Sequence, residues 1–334
     1  MKCISAFFVI CIHCELHNYG GKIGTILISL MRCSVPIFFL ISGYYSYFNN
    51  KNNSDIMKKY KSRMIKLIKL IIISGITYLL FDILILDKYE SISQYFEWKW
   101  NEKNFFKYIF LNVSPFAGHL WFLSALLYCY ILIFILNKIN VKVSILYKYI
   151  PILLMMNIIF GEISSKVGLN GIETIYYRNF LFYGLPFFLI GYLINDKSKK
   201  INEISNKTLI VVNVLSIVLI IIELLGTKNA DLYIGSIIQA TSLFILCVRN
   251  PNIIDIKILD NIGGKLYTYI YIYHLMVFEM VKKYQIKLGL RYEDVCYKDT
   301  IIVFIITILI SIMIYYVSIY YKKIKNALIV KLSN

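Results

Sequence analysis

Apolar stretches of about twenty residues, separated by short polar segments, run the length of this chain. Windows long enough to cross about 30 Å of hydrocarbon fall at residues 1–18, 23–48, 64–86, 116–137, 144–161, 177–194, 208–226, 231–248, 264–281 and 300–321. The pattern predicts an all-α integral membrane protein, a bundle of about ten transmembrane helices. The segment "DKYESISQYFEWKWNEKNFFK" (87–107) is too polar to span and suits a headgroup-level loop or short interfacial helix. "NNKNNSDIMKKYKSR" reads as the one flexible linker, and a single membrane domain over residues 1–334, with no appended soluble domain, accounts for the chain.

Composition agrees: 59% of the 334 residues are hydrophobic, well above a soluble domain, and the mean hydropathy is +0.66. Charge fixes an orientation. With the N-terminus inside, the inner segments hold 22 lysines and arginines and the outer ones 12, so the expected topology is N-in and C-in in the cytoplasmic membrane. The net charge of +17 then belongs to loops facing anionic lipid, not to nucleic acid. The first apolar run has no small-residue cleavage site after it and reads as a retained helix. The seven cysteines are an odd set lying mostly in apolar segments, which implies no disulfide framework.

Polar residues inside the apolar windows are the candidate chemistry. Arg32 sits in "SLMRCSVPIFFLISGYY", where an arginine costs about 2.5 to 3.5 kcal/mol and so faces a partner or a wet cavity. It lies about 14 Å into its helix and His13 about 18 Å into the first, from opposite sides, so the two can line one cavity. His13 is either a hydrogen-bonded core histidine or a general base. "CIHCELH" also has the residue types of a metal site, but Glu15 stands two positions after His13, off the zincin spacing, and no metal is expected. His119 and Trp121 in "AGHLWFLSALLYCY" sit at an outer helix entrance, where tryptophan belongs in any interfacial belt. Arg178 in "YYRNFLFYGLPFFLIGY" stands at an outer helix mouth, where snorkelling to headgroups is the plain alternative. "VPIFFLISGY" and "LPFFLIGY" echo one another on helices running inward, with proline and glycine that permit close packing. "LYTYIYIYHLMVF" places His274 mid-membrane, as a tyrosine-paired structural histidine or a substrate contact.

Together and in this order, these pieces resemble the acyltransferase-3 family of integral membrane O-acyltransferases. "KCISAFFVICIHC" is similar to its basic residue, apolar run and terminal histidine, and "RCSVPIFFLISGYY" to its arginine, V-P-x-F-F and S-G-[YF] signature. "HLWFLSALL", "LPFFLIGYL" and "YIYIYHLMVF" match later landmarks, up to about residue 280. The resemblance implies transfer of an acyl group, usually acetyl, from cytoplasmic acyl-CoA to a hydroxyl of a cell-surface or exported polysaccharide, or a lipid-linked glycan. It implies His13 as catalytic base and Arg32 as its companion, with Glu15, Ser42, His119, Trp121, Arg178 and His274 on the substrate side. Lys58, Lys59, Lys61 and Arg63 are then expected to dock the nucleotide end of acetyl-CoA. The expected partners are the bilayer, the glycan acceptor and other polysaccharide-synthesis proteins. The competing readings are a transporter or exporter of a polysaccharide, sugar or amino acid on the same fold, and a structural member of a synthesis complex in which His13 and Arg32 hold helices together.

Overall fold

The computed structural model describes residues 1–14, 21–48, 52–164, 172–226, 230–252, 256–289 and 296–333. Among these there is helix and turn but no strand. The main helices are α1 (Lys2–His13), α2 (Gly21–Met31), α3 (Ser34–Tyr44), α4 (Asn53–Leu84), α5 (Ile92–Lys99), α6 (Glu102–Leu111), α7 (Trp121–Lys138), α8 (Ile150–Ile158), α9 (Leu185–Asp196), α10 (Asn206–Gly226), α11 (Ile234–Arg249), α12 (Tyr267–Lys287) and α13 (Cys296–Ser333). Helix forms in each of the ten expected windows. Among the described residues, six segments are long and apolar enough to cross a membrane: Gly21–Tyr44, Asn53–Leu84, Gly118–Lys138, Val143–Ile163, Asn206–Gly226 and Asp299–Tyr321. Lys2–His13, Phe180–Asp196 and Ile234–Arg249 are shorter apolar helices. Their outward faces are apolar, as on α10, where Val211, Val214, Leu215 and Leu225 are exposed. Such a surface suits lipid rather than water.

Three expectations change. Residues 53 onward, taken as linker, are the first turns of the 32-residue α4, where Asp55 complements the positive helix start and lysine and methionine favour helix. Residues 87–107 hold two short helices, not one, each with its own N-cap: Ser91 accepts from the Gln94 amide at 3.1 Å and Asn101 from the Asn104 amide at 2.9 Å. The 23–48 window breaks at Arg32 and Cys33. Pro36 explains that break, because in an unbroken helix its ring would strike the carbonyl of residue 32 and its missing N–H would leave that carbonyl without a partner. The same device recurs before Pro186, where the wider turn of a π-helix, Phe180–Gly184, relieves the clash.

The chain forms two compact units. Met1–Ser34 with Asn252–Asn334 make the first, and Val35–Pro251 the second. In the first, α1 packs on α2, α12 and α13. Phe7 meets Phe304 edge-on at 4.9 Å, the Lys2 ammonium lies over Tyr267, and Gln285 donates to Asp299 at 2.6 Å to join α12 to α13.

In the second unit the two echoing stretches cross. A Cβ on Gly43 would stand 1.9 Å from the Phe188 carbonyl oxygen, and one on Gly191 would stand 2.0 Å from that of Leu40. Only glycine admits this approach. Leu40 with Gly191 and Tyr44 with Asn195 advance by four residues along both helices, as do Gly43 with Phe188 and Tyr47 with Tyr192. The helices therefore run parallel, the direction that the repeated signature predicts. Beside them α10 and α11 form a hairpin. Its turn end is fixed by buried Glu223, whose carboxylate accepts from the amides of Ile234 and Gly235 at 3.1 and 3.0 Å.

Candidate active site

α1 ends at His13, with the Cys14 amide returning to the Ile10 carbonyl at 2.8 Å. The half-buried His13 ring faces His274 of α12, their centroids 5.2 Å apart and their planes inclined by 46°. His274 is 1% exposed. Its Nδ1 lies 2.7 Å from the Tyr271 carbonyl and 3.2 Å from that of Ile270. A carbonyl only accepts, so Nδ1 carries the hydrogen, and in the neutral ring Nε2 then carries the lone pair, a tautomer assigned from its partners. The expected tyrosine pairing is thus to backbone carbonyls, Tyr271's included, with the Tyr271 ring 6.1 Å away.

Arg32 follows the last residue of α2, half-buried at the break made by Pro36, its amide turned onto the Ile28 and Ser29 carbonyls at 3.1 and 3.4 Å. Cys11 and Cys14 are buried beside His13. Glu15 and His17 lie outside the described residues.

A second constellation is built within the second unit. A 3₁₀ turn, Gly118–Leu120, leads into α7 and sets His119 and Trp121 inward. His119 Nε2 lies 3.4 Å from the Tyr78 hydroxyl. Trp121 is no interfacial-belt residue: it is buried, edge-on to Tyr183 at 5.6 Å and 6.1 Å from Phe39, while Trp98 of α5 is 68% exposed. Arg178 is half-exposed. Its guanidinium lies over Trp121, 6.0 Å from the ring centroid, and pairs with Asp231 at 3.6 Å. A cation held over an aromatic face by a carboxylate is an arrangement that can receive a polyhydroxylated ligand through both hydrogen bonds and ring contact. Ser42, by contrast, donates to the Phe38 carbonyl of its own helix at 2.8 Å.

The four basic residues of α4 divide between two faces. Lys58 and Lys61 share a groove with Ser62, Ile65, Lys66 and Lys69. Lys58 also stands 4.0 Å from Asp55. Lys59 and Arg63 instead lie over the Phe48 ring at 4.7 and 5.2 Å. Arg63 is further tied to Ser46 Oγ at 2.7 Å and to the Tyr45 carbonyl at 2.8 Å, which fixes the chain leaving α3. Phe48 lines a cavity of about 440 Å³ between the ends of α3, α7 and α9 and the start of α4. Tyr47, Asn137, Lys142, Tyr147 and Asp196 contribute to its wall. Tyr147 donates to Asp196 at 3.1 Å. Burial, and then the hydrogen bond and charge of Asp196, push the Tyr47 phenol up.

With this geometry in place, comparison with known families is decisive. The description of the acyltransferase-3 family, an acyltransferase domain, matches residues 1–320. The chain belongs to the acyltransferase-3 family. No curated protein and no solved structure matches it. It is a multi-pass membrane acyltransferase. For this acyltransferase the pairing of His13 with His274 was not visible in either motif alone. Asp231, Glu223 and Asp196 are not among the expected site residues, most of which are cations and histidines of the apolar windows. The acids in and beside those windows carried the same signal.

Proposed function

We propose that this protein is an O-acyltransferase of the cytoplasmic membrane, with about ten spans, N-in and C-in, that moves acetyl from cytoplasmic acetyl-CoA to a hydroxyl of a cell-surface or exported polysaccharide. The observation that carries the reading is the family match over residues 1–320 together with a histidine, His13, at the end of an apolar helix beside a second imidazole. His13 takes the proton of the acceptor hydroxyl as its oxygen attacks the thioester carbonyl carbon. The tetrahedral oxyanion collapses, the carbon–sulfur bond breaks, and the CoA thiolate recovers the proton from the His13 imidazolium. A base so placed contributes roughly 100- to 10,000-fold. Nothing covalent forms on the protein. Arg32 stabilises the negative charge that develops on oxygen and sulfur in a water-poor site.

On this reading the nucleotide end of acetyl-CoA docks where Lys59 and Phe48 meet the cavity of about 440 Å³. Arg178 and Trp121 receive the glycan, with His119 nearby on the same turn. Other polysaccharide-synthesis proteins would supply the acceptor. The test is His13→Ala in membranes shown to contain folded protein. Loss of the acetyl mass increment from surface glycan is the expected result. Unchanged acetylation would overturn the assignment, and uptake of labelled acceptor without any acyl donor would favour a transporter instead.

A further inference from the structure

Three facts about His274 stand together. It is all but fully buried in the middle of α12. Its Nδ1–H is committed to backbone carbonyls at 2.7 and 3.2 Å. Its ring faces that of His13 at 5.2 Å. The backbone bond locks both the tautomer and the ring orientation, in the way that an outer partner locks a catalytic imidazole. A histidine that only fills the core can make the same backbone bond, so this tautomer alone does not single out a role. A histidine that must present a lone pair to a neighbouring ring needs this tautomer, with Nδ1 protonated and Nε2 bare of hydrogen.

We propose that His274 is the positioning residue of His13. Its Nε2 accepts the hydrogen of one His13 ring nitrogen, directly or through one water, and so leaves the other His13 nitrogen with its lone pair toward the acceptor hydroxyl. When His13 takes up the hydroxyl proton, both of its nitrogens carry hydrogen, and the one facing His274 stays held by Nε2. The imidazolium keeps its orientation until it returns the proton to the leaving thiolate. His274 neither gains nor loses a proton through the cycle. This inference rests on His13 being the base of the proposed acyl transfer, and it moves His274 from the substrate side to the support of the base.

The experiment has an activity-independent arm. The chain has four histidines, so ¹⁵N-histidine labelling of the full-length protein in lipid bilayers gives a spectrum simple enough to assign with His13→Ala and His274→Gln. The wild type should show His274 protonated at Nδ1 alone and His13 in one tautomer. His274→Ala should leave His13 exchanging between tautomers, and His274→Gln, whose amide oxygen can occupy the place of Nε2, should restore one. In the kinetic arm, His274→Ala should lower kcat about 100-fold with KM for donor and acceptor unchanged, and His274→Gln should recover at least a tenth of the wild-type kcat. A His13 tautomer that ignores His274 overturns the inference whatever the activity, as does wild-type kcat in His274→Ala. If the tautomer follows His274 while the wild type transfers no acyl group, the pairing stands and the functional reading falls.

Discussion

Arg178 lies over the indole of Trp121, and Asp231 holds it there from 3.6 Å. An arginine at a helix mouth would ordinarily send its charge to the headgroups. Here a carboxylate and an aromatic face engage the half-exposed guanidinium. Arg178→Lys keeps the charge but loses the planar stack and the fork of donors, so the acceptor KM should rise roughly tenfold with the acyl-CoA KM unchanged. Asp231→Asn should shift the acceptor KM in the same direction. Steady-state kinetics with both substrates varied checks this, and an unchanged acceptor KM in both variants would remove the cluster from substrate binding.

Arg32 separates catalysis from helix glue. Arg32→Lys preserves charge at the break before Pro36 but not the bidentate geometry. If Arg32 meets the developing oxyanion or thiolate, kcat should fall at least tenfold while thermal stability in detergent stays near that of the wild type. Full activity in the lysine variant would leave Arg32 with a packing role.

The glycine crossing gives a prediction on stability alone. A methyl group at residue 43 or 191 meets a backbone carbonyl, so Gly43→Ala and Gly191→Ala should each destabilise by about 1 to 3 kcal/mol. Gly118 has nothing within 4 Å of an added Cβ and serves as the control: Gly118→Ala should leave the melting temperature nearly unchanged.

The basic residues of α4 should also part company. Arg63 bonds Ser46 and Tyr45, and its loss should cost about 1.5 to 3 kcal/mol of stability, the range for hydrogen bonds to a charged group. Lys59→Ala should leave stability alone and raise the acyl-CoA KM, most visibly at low ionic strength, where unscreened charge counts for more. An equal loss of stability in both variants would contradict the division of the cluster.

The apolar windows made the helices legible because twenty apolar residues have few alternatives in a bilayer. Breaks within windows were harder. Pro36 and Pro186 were noted as permitting local opening, yet the reach of a proline to the carbonyl four residues earlier, which puts the first break at Arg32, follows only when that register is worked out. Asparagine and lysine dominate the stretch at 49–63 expected to be a linker, whereas from residue 53 its helix continues one already required by residues 64–84. Within the candidate site, His13, His274, Trp121 and Arg178 each stood out as polar or bulky residues in apolar runs. Spacing along one helix carries no information on which residue of a distant helix lies opposite, so the apposition of His13 with His274 and of Arg178 with Asp231 came from the fold alone. The buried acids were legible in principle, since a carboxylate in an apolar run raises the same question as an arginine.

Glu223 bears on how the chain enters the bilayer. Its carboxylate is satisfied by the first amides of α11, groups that leave the ribosome only after α10 is complete. Presented to lipid alone, α10 would carry an unsatisfied carboxyl group near its end. Together with α11 that group becomes a helix cap, so the hairpin, not the single helix, is the smallest segment of this region suited to partition from the translocon into lipid.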